Sequence, residues 1–103
     1  MRTLVITVKE IIGYCPVYKL GDRIVLDEGY RVNLSKTSAI CMYSLASILP
    51  YCAALSKGIR PEDLGLAKPG SDGKSAFVQC LDPFKYTKGG TVFFEIRAVN
   101  IEK

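Results

Sequence analysis

An α+β fold, with one long kinked helix laid over a small antiparallel sheet or open barrel of order ββαββ, is predicted by three observations. Period-two alternation opens the chain, twenty uncharged residues with helical spacing occupy its middle, and two more alternating runs flank a glycine-rich connection near its end. At 103 residues and 49% apolar content the chain reads as a single domain over 1–103, one that buries about two-thirds of its extended surface.

The first strand follows from Leu4, Ile6 and Val8, which alternate with Thr3, Val5, Thr7 and Lys9 and so share one face of a pleated ribbon. Gly13 to Pro16 breaks the alternation. The Tyr18-Lys19-Leu20-Gly21-Asp22 run reads as a turn into a second short strand, Arg23-Ile24-Val25-Leu26, after which residues 27–30 turn again. From Thr37 the spacing changes. Cys41, Leu45, Ile48, Cys52 and Leu55 recur at intervals of four and three, the stripe of a buried helix face. Ser35, Thr37 or Ser38 is placed to cap that helix, Pro50 to kink it, and Gly58 to end it at the position after Lys57. Pro61 with Glu62 and Asp63 has the form of a short helical first turn stopped by Gly65. Residues 75–81 and 91–99 form the last strand pair, with Val92, Phe94, Ile96 and Ala98 on one face and Ala76, Val78 and Cys80 facing the same way.

Composition excludes whole classes of chemistry. Without histidine the chain has no Ser-His-Asp triad, no Cys-His dyad, no imidazole base and no His-ligated zinc. Thiols, carboxylates, lysines or a bound metal remain, and no reaction is assigned from sequence. The net charge of +4 is spread along the chain. Lys68, Lys74, Lys85 and Lys88 form its nearest approach to a cluster, among glycine, proline and aspartate, so they read as a solvated loop face and nucleic acid is not an expected partner. Residues 37–56 are long enough to span a bilayer, but five Ser/Thr residues and Pro50 dilute them, and a buried helix is expected in place of a membrane span. The opening residues lack a signal peptide's apolar centre, which points to a cytoplasmic protein with reduced thiols.

Cys15, Cys41, Cys52 and Cys80 show no C-x-x-C spacing. Cys41 and Cys52, eleven residues apart on one helix, stand about 16 Å apart along its axis and cannot share a bridge or a metal. Cys15, Cys41 and Cys80 fall at element ends. They are the expected metal ligands, for an iron-sulfur cluster or zinc, with Asp22, Asp82 or water in fourth place, or else they form a reactive thiol site. Cys52 is assigned to the core. The competing reading makes every cysteine a small buried hydrophobe in a structural or interaction module. A third places a small molecule or anion at Thr87, Lys88, Gly89 and Gly90, where two glycines let backbone amides approach a ligand; the same glycines also serve simply to close a hairpin.

The segments Gly13-x-Cys15, Gly21-Asp22, Ile40-Cys41, Leu49-Pro50, Gly65-Leu66, Val78-Gln79-Cys80-x-Asp82-Pro83 and Thr87-x-Gly89-Gly90-Thr91-Val92 resemble an uncharacterised family of short prokaryotic proteins of this length, over residues 3–97. The resemblance implies a prokaryotic intracellular protein. It gathers Cys15, Cys41 and Cys80 into shared segments, leaves Cys52 outside them, and implies no reaction, substrate or cofactor. Surplus apolar side chains, Phe93 on the far sheet face and Tyr43 off the helix stripe, predict a homo-oligomer, with a dimer as the simplest closed form.

Overall fold

A computed structural model describes residues 1–100. Its five strands are β1 (Thr3–Gly13), β2 (Arg23–Asp27), β3 (Arg31–Val32), β4 (Ser75–Gln79) and β5 (Gly90–Val99), and they form one open antiparallel sheet in the order β3-β2-β1-β5-β4. The main helix α1 (Met42–Ser56) lies on one face, and a four-residue helical turn, α2 (Phe84–Thr87), sits in the β4–β5 connection. The α+β class is as expected. The ββαββ order gains a fifth strand, because the turn at 27–30 folds the chain straight back so that Val32 pairs with Leu26.

The alternating residues make the core. Leu4, Ile6 and Val8 of β1, Ile24 and Leu26 of β2, Ala76 of β4, and Val92, Phe94 and Ile96 of β5 face Ile48, Cys52 and Leu55 of α1, and all are buried. β1 runs past Lys9 and Glu10, where the sequence pattern breaks, by means of a bulge. Val8 pairs with Phe94, Glu10 with Phe93 and Ile11 with Val92, so one extra residue on β1 is absorbed and Ile11 returns to the core face.

The helix begins at Met42, five residues later than the uncharged run. Thr37 and Ser38 do not cap it, since their hydroxyls accept from the Val25 and Arg23 amides along the part of β2 that β3 does not pair. The helix's N-cap is Cys41, which makes no side-chain cap bond. The helix is not divided at Pro50 and runs on to Ser56. Pro50, which has no amide hydrogen to give the Ala46 carbonyl, and Ala46 are both exposed. At the far end, the Gly58 amide donates to Leu55 O and the Ile59 amide to Ala54 O, with Gly58 in the left-handed region at φ 94°. Pro61–Leu64 is a single 3-10 turn ended by left-handed Gly65. No helix among the described residues is long and apolar enough to cross a membrane.

Candidate functional site

At the end of the sheet where β1 stops and β5 starts, three segments distant in sequence meet. Gly13 pairs with Gly90, and the Tyr14 amide donates to Gly89 O at 3.2 Å. A side chain on Gly90 would collide with the Tyr14 carbonyl and come within 2.9 Å of Cys15 N, so glycine there lets the 13–18 loop lie directly on the start of β5. Cys15 closes that loop, its Sγ accepting from the Tyr18 amide at 3.3 Å.

Tyr18 joins the loop to the helix. Its ring packs edge-on against Phe94, with centroids 5.4 Å apart and planes at 86°. Its hydroxyl accepts from the Cys41 amide at 2.8 Å and lies 2.9 Å from Ser44 Oγ. Ser44 is 1% exposed and gives its own hydrogen to Cys41 O at 2.8 Å, so the Tyr18 hydroxyl donates to Ser44. Tyr18, Ser44 and the Cys41 backbone therefore form a closed set that holds the start of α1 where a side-chain cap is lacking. Burial holds the Tyr18 phenol above its ordinary ionisation range, while the bond from the Cys41 amide works in the opposite direction.

The third segment is the β4–β5 connection. Cys80 donates its amide to Val92 O at 2.9 Å, and its Sγ accepts from the Val92 amide at 3.1 Å and donates to Gly90 O at 3.5 Å. The Asp82 carboxylate accepts from the Thr87 hydroxyl and from the Gly90 amide at 3.2 Å, and the Gly89 amide donates to Thr87 Oγ1 at 3.1 Å. Thr91 Oγ1 donates to Asp82 O and accepts from the Phe84 amide at 3.2 Å, which ties α2 to the start of β5.

Between these segments lies a cavity of about 660 Å3, well within the range that small-molecule sites occupy. Cys15, Cys41 and Cys80 all line it, together with Tyr14, Tyr18 and Tyr43. Tyr14 and Tyr43 are 75% and 83% exposed, and with Met42 and Leu81, also exposed, they rim its mouth.

The three cysteines singled out from sequence thus share one cavity, and Cys52 does not. It is buried in the core with its thiol donating to Ile48 O at 3.3 Å, and burial raises its ionisation range. Among the described residues no group of three or more Cys, Asp or Glu side chains is placed to hold a metal ion; Cys15, Cys41 and Cys80, the expected ligands for an iron-sulfur cluster or zinc, share the cavity without forming such a group. Cys15 Sγ accepts from the Tyr18 amide and Cys80 Sγ from the Val92 amide. Asp22 is also elsewhere, buried and accepting from the Lys19 amide, whereas Asp82 does line the cavity.

The glycine-loop expectation fares differently by residue. Gly89 and Gly90 line the cavity, but their amides are committed to Thr87 and Asp82, the Thr87 hydroxyl is bound to Asp82, and Lys88 Nζ lies 5.6 Å over the Phe84 ring. A carboxylate occupies the place an anion would take. Sequence reasoning missed Tyr18 and Ser44, because a tyrosine in a turn and a serine in an uncharged run carry no local sign of their partnership.

Comparison of the chain with protein-family models, with curated proteins and with solved structures finds no match.

Proposed function

We propose that the protein binds a small molecule in the cavity between the 13–18 loop, the start of α1 and the β4–β5 connection, with Cys15, Cys41 and Cys80 as the thiols that meet the ligand. The observation that carries this reading is the convergence of three separate segments, each contributing one cysteine, around an apolar-rimmed space of about 660 Å3. Cys52 is buried within the sheet–helix core, whereas Cys15, Cys41 and Cys80, packed against that core, are half-buried where it meets the cavity. All four thiols are unpaired, in keeping with the proposed cytoplasmic setting. Self-association as a homodimer belongs to the same proposal, through the outer sheet face that carries half-buried Phe93 and exposed Phe77, which leaves the cavity mouth open.

The test is binding of N-phenyl-1-naphthylamine, a neutral dye that brightens in apolar surroundings. The wild-type protein is expected to enhance and saturate its fluorescence. Ala46→Trp, which carries an indole into the cavity wall, is expected to abolish the signal, and Leu49→Trp, on an exposed helix position outside the lining, to preserve it. Absence of enhancement, or enhancement that survives Ala46→Trp, would defeat the reading.

A further inference from the structure

A second cavity, of about 290 Å3, lies where β1 begins, α1 ends and the approach to β4 meets the end of β5. Four of its lining residues are cations, Arg2, Arg60, Lys74 and Arg97, and none is an acid. Leu55 and Ile96, both buried, supply part of the remaining lining, so charge acts here beside apolar core and is screened less than on open surface. The cations differ in what already holds them. Arg60 is bonded to Asp63 at 3.3 Å, and Arg97 donates from Nε to Ser75 Oγ at 3.0 Å, while Asp72 and Glu95 stand 3.8 and 3.7 Å from its guanidinium, beyond hydrogen-bond reach. The Arg2 guanidinium and the Lys74 ammonium have no ion pair and no hydrogen bond among the described residues. The position of the first is set by Gly58, where a side chain would begin 2.9 Å from one of the guanidinium nitrogens.

Negative charge lies nearby, but outside the lining. The carboxyl end of α1 contributes about half a unit, and its Leu55 and Ala54 carbonyls already accept from the Gly58 and Ile59 amides. The Glu62 carboxylate stands 3.9 Å from the point where a side chain on Gly73 would begin. Neither it nor Asp63, Asp72 or Glu95 lines the cavity, so an anion in the space borders charges of one sign and meets the carboxylates from farther off, where their repulsion is weaker.

From this arrangement we infer that the second cavity binds the phosphate group of a small phosphate monoester, with Arg2 and Lys74 as its principal partners and Arg97 as a further donor. Two cations without counter-ions match a doubly charged group better than a carboxylate or a phosphodiester, each of which carries one charge, and the planar fork of arginine suits phosphate oxygens. The volume falls just below the range of whole-ligand sites, which fits a pocket for one group of a molecule. This site is separate from the cavity lined by the cysteines and does not depend on its reading.

The experiment titrates phenyl phosphate into the full-length protein by calorimetry at about pH 8, where the phosphate is doubly charged, beside benzenesulfonate, which carries one charge on the same ring. Phenyl phosphate is expected to bind at least about tenfold more tightly. Arg2→Gln and Lys74→Gln, both at exposed positions, are each expected to weaken it about tenfold while the circular dichroism spectrum stays that of the wild type, and Lys74→Gln decides should Arg2→Gln fail to fold. Lys85→Gln, outside the lining, and Ala46→Trp, in the wall of the first cavity, should leave the affinity unchanged. Absent binding, equal affinity for the two compounds, or a loss in Lys85→Gln equal to that in Lys74→Gln would overturn the inference. A loss in Ala46→Trp would place the compound in the first cavity, and a single-stranded oligothymidylate that binds more tightly than phenyl phosphate would give the basic face to nucleic acid; either result overturns it as well.

Discussion

The one hydroxyl of Tyr18 serves the Cys41 amide and Ser44 together. Tyr18→Phe is expected to lower stability by about 1–3 kcal/mol in urea unfolding, the cost of leaving buried polar groups without partners. The pH dependence has a definite sign. Burial raises the ionisation of Tyr18 above 10.0 and of Cys52 above 9.0, so both favour the fold while neutral, and their contribution is complete below those values and lost as pH climbs through the higher folded ones. Stability should therefore fall above about pH 9, and a Tyr18→Phe, Cys52→Ala double variant should show a flatter alkaline limb. Alkylation of the native protein followed by mass spectrometry should label Cys15, Cys41 and Cys80 ahead of Cys52, whose residue is 6% exposed; equal rates for all four would contradict the placement. The three cavity cysteines were legible in the sequence because each stands where an element ends. Their directions were not, since those depend on the Tyr18 and Val92 amides that only the fold brings within reach.

Among the elements, α1 gives the clearest contrast between local pattern and tertiary demand. The stripe through Ile48, Cys52 and Leu55 was readable from spacing, and Ile48→Ala, at a position with no exposure, is expected to cost about 2–5 kcal/mol. The start of the helix was not readable. Thr37 and Ser38 have good capping side chains, yet the unpaired amides of β2 claim them, and Ser44, one of the residues that make the run look polar, is buried to meet Tyr18. Pro50→Ala should stabilise the protein by as much as roughly 3 kcal/mol by restoring the donor to the Ala46 carbonyl, measured as a shift in the urea midpoint without a change in slope. The strands were legible wherever alternation was unbroken. β3, two residues long, has too little sequence to carry a pattern, and the second half of β1 is hidden because its bulge changes the phase of the alternation at Lys9. Gly90→Ala should loosen the 13–18 loop and cost both stability and dye binding, since the Tyr14 carbonyl occupies the space a side chain needs.

Over the whole molecule, the sheet has one face covered by α1 and one that carries Phe93, Phe77, Val5 and the Glu95–Arg97 ion pair. Light scattering at micromolar concentration is expected to give twice the chain mass of 11.3 kDa, and Phe77→Glu to return the protein to a monomer; a wild-type mass of 11.3 kDa would remove the proposed dimer. The cavity belongs to this scale as well, for its walls come from residues 13–18, from the start of α1, and from residues 80–90. No contiguous piece of the chain shorter than about three-quarters of it contains all three. Cleavage in the exposed stretch at Pro69 and Gly70 would leave Cys15 and Cys41 on one fragment and Cys80 on the other, with β5 taken from beside β1. Neither fragment alone should brighten the dye, and mixing the two should restore the signal only as fast as the halves reassemble, which makes occupancy of the cavity a direct reporter of complementation between the two parts of the chain.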